Sequence, residues 1–137
     1  MDVGHAILTV ARRRPDGPPA LSWVPALVAR GAGAGHLLTG RAAARSGRAR
    51  PLPVDRLEHA RPVALGGELF TPRTLVASAL RDVSGAVPPG SPVRVVHPAT
   101  WSERRVAALV EAAHAAGLVG VQAVAAPVAA AALLAGP

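Results

Sequence analysis

The 137 residues are enough for one domain or for one lobe of a larger one. Half of them are apolar, so a core can form, but Trp23, Trp101 and Phe70 are the only aromatics, and a core of Ala, Val and Leu buries little area per side chain. The absence of cysteine excludes a disulfide framework and a thiolate metal site, and the net charge of +7 rests wholly on arginine, because all fifteen basic residues are arginine and none is lysine.

The arginine bias, together with the abundance of Ala, Gly and Pro, reads as the codon usage of a GC-rich genome. A nucleic-acid surface needs basic residues gathered on one face, preferably with aromatics to stack on bases. Here the arginines are scattered, apart from Arg12–Arg14 and the Arg41, Arg45, Arg48, Arg50 group. No specific nucleic-acid partner is expected; general attraction to polyanions is. Arg12–Arg14 follow the first apolar run instead of preceding it, so no signal peptide is read and a cytoplasmic location is expected.

In chain order, Ala6 to Ala11 is partly β-branched and predicts a buried strand, ended by the turn residues Pro15-Asp16-Gly17. Trp23 to Ala29 is a second apolar run and His36 to Thr39 a third, with the glycine-rich Gly31–Gly35 as a turn between them. Arg41 to Arg50 reads as a loop with at most one helical turn. Val63–Leu65 and Glu68–Phe70 flank Gly66-Gly67, a pair suited to the positive φ values of a tight hairpin.

Thr71-Pro72 offers an N-cap and a first-turn proline, and Leu75, Val76, Ala79, Leu80 and Val83 share one helical face. Val93 to His97 predicts a strand ended by Pro98. Ser102 caps the next helix, with Glu103 near its positive end and Val106, Leu109, Val110 and Ala113 as the expected buried stripe. Gly117 stops that helix, Val121 to Val124 predicts a strand, and Pro127 opens a final helix of alanines and leucines.

The second half therefore alternates helices and strands, which argues for an α/β layer with a largely parallel sheet; the first half reads as antiparallel. From Ala115 to Pro137 no residue is charged, but Gln122, Pro127 and the many alanines argue for a buried strand and helix over a membrane span. That apolar end should pack on something, such as a second lobe or a protein partner.

His5, His36, His59, His97 and His114 form no metal-ligand pair, with His59 merely adjacent to Glu58. Ser102 lacks the setting of a nucleophile elbow, and Gly31–Gly35 lacks the lysine of a phosphate loop. His97 and Trp101 read as packing residues.

Three segments carry a resemblance to a known family. Pro98-Ala99-Thr100-Trp101-Ser102-Glu103, after an apolar strand, resembles the "VPAYFND" segment of the DnaK-type heat-shock protein 70 family. Ala115-Ala116-Gly117-Leu118 resembles its "IAGL", and Pro127-Val128-Ala129-Ala130-Ala131 its "EPTAAA", all three at the family's spacing without a gap. Upstream, Leu38-Thr39-Gly40-Arg41-Ala42-Ala43 is similar to "LVGQPAK", and Trp23 to Val28 sits where the family has "TPSVV". Asp2-Val3-Gly4 is similar to the "DLG" of its first phosphate loop. In style the chain resembles divergent actinobacterial proteins of this superfamily.

The resemblance implies a partial actin-like ATPase (ribonuclease-H-like) lobe: N-terminal antiparallel strands over residues 1–40, an insertion with hairpin and helix over 41–92, and strand–helix–strand–helix over 93–137. It implies a chaperone-related function with ATP or ADP and Mg²⁺ as cofactor, held in the first phosphate loop by Asp2, Gly4 and His5, the last in place of the family's threonine. Arg61 stands near the place of the catalytic lysine, and Ala125-Ala126 replace Asn-Glu before Pro127. The second phosphate loop and the adenosine-binding lobe lie beyond the matched segments, so a lobe cut short, with ATP binding at most weak and hydrolysis lost, is the expectation. The alternatives are a non-enzymatic actin-like scaffold, as in actinobacterial secretion systems, and a gene remnant without function.

Overall fold

The computed structural model describes residues 2–3, 7–12, 16–18, 20–85 and 87–135. A five-stranded mixed sheet forms its centre. Its strands are β1 (Asp2–Val3), β2 (Ile7–Arg12), β3 (Ala20–Pro25), β9 (Val93–His97) and β10 (Val121–Ala125), in the order β10-β9-β1-β2-β3. β2 runs antiparallel to both β1 and β3, with Leu8 opposite Val3 and Val24. β9 lies parallel to β1 through Asp2 and Val96, and parallel to β10 from Val121↔Val93 to Ala125↔His97. Antiparallel strands thus lead and parallel strands linked by a helix follow.

Between β3 and β9 the chain builds two smaller sheets and two helices. β4 (Leu27–Arg30) is the middle strand of a three-stranded sheet with β5 (Leu37–Thr39) and β6 (Arg50–Pro51), antiparallel to both. β7 (Val63–Leu65) and β8 (Glu68–Phe70) form a hairpin. Gly66 and Gly67 have φ of 54° and 82°, the positive values that the Gly-Gly pair predicts.

The apolar run from Trp23 to Ala29 is not one strand. It breaks at Ala26, whose carbonyl accepts from the Leu52 amide, and β3 and β4 join different sheets. Pro25 has no N–H to continue the ladder, so the partner changes there. The stretch from Arg41, expected as a loop with at most one helical turn, opens with the short helix α1 (Gly40–Arg45), which three successive alanines favour, and continues as a turn. Thr39 caps nothing: its hydroxyl donates to Asp82 of α2 (Pro72–Ser84), which ties β5 to that helix.

α2 starts as its sequence dictates. The Thr74 amide donates to the Thr71 hydroxyl at 3.1 Å, and Pro72 occupies the first turn. Leu75, Val76, Ala79 and Leu80 are buried. α3 (Glu103–Ala115) connects β9 to β10 and packs on α2, with Ser102 accepting from the Arg105 amide at 3.2 Å. Its buried stripe is Ala108, Leu109, Ala112 and Ala113, turned from the expected one, so that Val106 and Val110 are half-buried. Small alanines let the two helices approach closely, and the valines are left at the margin.

α3 ends in a Schellman motif. The Leu118 amide donates to the Ala113 carbonyl, the Gly117 amide donates to His114, and Gly117 has a φ of 89°. Leu118 is buried against the same core. Arg81 of α2 donates to the Ala115 carbonyl at 2.9 Å and helps to satisfy the helix end.

The last helix, α4 (Ala126–Leu134), overturns the expectation of burial. It meets β9 and β10, yet Val128 is 61% exposed and Leu134 89%. The helix carries no polar face to set one side against the sheet, and β10 is the edge strand, so no neighbouring strand adds to the cover. No helix among the described residues is long and apolar enough to cross a membrane.

Candidate functional site

Three parallel strands, β1, β9 and β10, end on the same edge of the central sheet. Asp2 pairs with Val96 and Ala125 with His97, so the strands themselves end side by side. Loops at the carboxyl ends of parallel strands are the usual seat of ligand sites in α/β sheets. Asp2 lies in β1 and contributes its backbone there. Gly4 and His5, the other expected phosphate-loop residues, lie outside the described residues. Arg61 is exposed in the segment before β7, and no hydrogen bond or ion pair fastens it among the described residues.

His97 closes β9 and is 9% exposed. Its Nδ1 lies 2.9 Å from the Pro98 carbonyl oxygen, which accepts when Nδ1 carries the proton. The ring stacks on Trp101 at 6.1 Å between centroids and 22° between planes. The guanidinium of Arg105 lies over the other ring, 5.5 Å from the centroid of Trp101. Arg105 then forks onto Glu58, with Nε donating to Oε2 at 2.7 Å and Nη2 donating to Oε1 at 2.8 Å. The Arg105 hydrogen bond outweighs the desolvation of Glu58 and holds its carboxyl down at about 2, while Glu58 in turn raises Arg105.

This stack fixes the turn after β9 to the segment that carries Glu58. It accounts for His97 and Trp101 as packing residues, as their sequence setting suggests. Glu58 and Arg105 were not singled out from the sequence. They are 47 residues apart, and no local pattern joins them.

A second charged clamp joins the β4–β5 loop to the β7–β8 hairpin. Glu68 accepts from the Gly35 amide and from Arg30 Nε, each at 3.0 Å, and ties the β4–β5 loop to the β7–β8 hairpin. The Gly35 amide, and after it Arg30, hold the Glu68 carboxyl below its usual range. Gly31–Gly35 is therefore a fastened turn, closed also by the Gly31 amide donating to His36 at 2.7 Å.

The residues present do not fit a magnesium nucleotide at the sheet edge. Ala125 and Ala126 bring methyl groups where the resemblance requires an amide and a carboxylate, and no lysine exists to meet a γ-phosphate. Among the described residues no three His, Asp or Glu side chains gather as a metal site. No buried side-chain nitrogen or oxygen among them is left without a partner for a ligand to satisfy. Ser102 is exposed, and its hydroxyl serves as a helix cap by accepting from the Arg105 amide.

No protein-family model matches this chain, and neither does any curated protein sequence.

Proposed function

We propose that the chain is a DnaK-type, actin-like lobe in which ATP contact is at most weak and ATP hydrolysis is lost. The observation that carries this reading is the order of the central sheet. Three antiparallel strands continue through β1 into two parallel strands linked by α3, as the resemblance implies. The three matched segments lie at the turn from β9 into α3, at the Schellman end of α3 and at the step from β10 into α4, which supports the strand–helix–strand–helix order the resemblance implies. The loss of hydrolysis follows from Ala126, whose methyl group can neither orient water nor hold Mg²⁺. The guanidinium of Arg61 is a planar fork and does not replace a lysine point charge.

The test is an ATPase assay of the purified chain with Mg²⁺. No turnover above the blank is expected, and Asp2→Ala should change nothing. Hydrolysis that Asp2→Ala abolishes would overturn the reading.

One observation favours a second reading, an actin-like scaffold that assembles through α4. The helix is uncharged, and Val128 and Leu134 face solvent. Sedimentation of the chain with and without Val128→Asp decides it. An assembly that the aspartate dissolves fits the scaffold; a monomer in both cases removes it.

A further inference from the structure

A cleft of about 300 Å³ opens between the three-stranded sheet and the β7–β8 hairpin. Arg30, Arg48 and Arg50 line it, with Gly31, Leu65 and Gly66, and no carboxylate is among its lining residues. Two of these arginines belong to the basic group visible in the sequence; the third is brought in by strand pairing. Val28 of β4 pairs with Arg50 of β6, which sets Arg50 beside the strand that carries Arg30.

Only one of the three is neutralised. Arg30 is pinned by Glu68 and by the Gly66 carbonyl oxygen, which accepts from Nη1 at 3.1 Å. Gly66 makes this possible, since a Cβ there would come within 2.7 Å of Arg30 Cδ. Arg48 and Arg50 are exposed, and neither side chain has a hydrogen-bond or ion-pair partner among the described residues. The Arg48 backbone is nevertheless held, because its amide donates to the Ser46 hydroxyl at 3.1 Å. Two unneutralised guanidiniums thus stand beside a third that is rigidly placed, on a floor of glycine and leucine.

We propose that this cleft binds a phosphate-type oxyanion bearing at least two negative charges, such as a diphosphate group, free or carried on a larger ligand. Guanidinium forks match phosphate oxygens two at a time, and an anion would neutralise the charges of Arg48 and Arg50. The cleft contains no aromatic side chain on which a base could stack, so it is a site for the anion itself and not a track for single-stranded nucleic acid. It lies between the three-stranded sheet and the β7–β8 hairpin, and none of its lining residues belongs to β1, β9 or β10. It does not depend on the ATP reading of the edge where those strands end.

Isothermal titration with inorganic pyrophosphate tests the site, with ADP as the ligand-borne arm. Arg48→Gln/Arg50→Gln removes two charges from the cleft. Arg56→Gln/Arg104→Gln removes two from exposed positions outside it and serves as the control. Thermal melts check that both remain folded. The expected result is one saturable site for pyrophosphate, weakened about tenfold or more by the cleft variant and less than about twofold by the control. Asp2→Ala should leave this binding unchanged. ADP binding more tightly than pyrophosphate identifies a ligand-borne phosphate, and equal binding a free one. Equal weakening by the two double variants would reduce the effect to the net charge of the chain and overturn the proposal. So would the absence of saturable binding, or binding lost through Asp2→Ala but not through the cleft variant.

Discussion

α3 and α4 each follow a strand of the same parallel pair, and each consists mainly of alanine and branched aliphatic residues, yet they end in opposite environments. α3 buries Ala108, Leu109, Ala112 and Ala113, whereas α4 leaves Val128 and Leu134 in solvent. The difference lies in the charges. Glu103, Arg104, Glu111 and His114 stay on the outer side of α3, so only one face is free to pack. Arg73 of α2 reaches Glu111 at 2.5 Å and Arg81 caps the end of α3, which fixes the rotation of the two helices against each other. In α4 every side is equally apolar and no polar residue selects a face. Hydrophobicity alone does not place a helix; its asymmetry does.

The contrast breaks most visibly at Leu109, which is fully buried in α3. Leu109→Ala should lower the unfolding free energy by about 3 kcal/mol in a urea titration, the transfer loss plus the cavity left behind. A cost below about 1 kcal/mol would mean that α3 is no better anchored than α4.

The Arg105–Glu58 fork anchors the start of α3 and gives a pH signature. Folding lowers the Glu58 carboxyl from its ordinary 4.5 to about 2. Its stabilisation is therefore present above pH 4.5 and is lost as the pH falls towards 2. Only 15% of the Glu58 side chain is exposed, so the pair is more than a surface contact, and about 1.5 kcal/mol is expected. Denaturation curves between neutral and acidic pH should show this drop, and Glu58→Gln should reduce it. Some slope remains in the variant, because Glu68 is shifted the same way by Gly35 and Arg30. An unchanged slope in Glu58→Gln sinks the assignment.

Smaller again is the cap. Ser102→Ala leaves the Arg105 amide without its acceptor and should cost about 1 kcal/mol in the same titration. Fraying at α3 would also loosen the Arg105 fork, so the pH slope should flatten together with the loss of stability. Loss of stability at an unchanged slope would separate the cap from the clamp.

Features that depend on a few adjacent residues were legible in the sequence. Thr71-Pro72 starts α2, Gly66-Gly67 turns the hairpin, Val93–His97 is a strand, and Gly117 ends α3, each because local backbone chemistry leaves few choices. Features set by distant partners were not. The break at Ala26 depends on which strands β3 and β4 pair with, and the rotation of α3 depends on what α2 can accept. At the candidate sites, His97, Trp101 and the Arg48–Arg50 pair could be picked out as residues. Their grouping with Glu58, Arg105 and Arg30 required the strand register and the fold.

Leu134 measures the other half of the contrast. At 89% exposure it has little burial to lose, so Leu134→Ala should change stability by less than about 0.5 kcal/mol, a small fraction of the Leu109→Ala effect. The measurement gains force when repeated over a range of protein concentrations. If α4 stays open in solution, the effect remains small and the melting temperature does not move with concentration. If α4 is covered by a second copy of the chain, dilution lowers the melting temperature and the Leu134→Ala penalty grows as the protein becomes more concentrated, because the lost contact then belongs to an assembly governed by mass action. A large, concentration-independent penalty would instead require α4 to pack within its own chain, and the asymmetry argument that separates it from α3 would fail.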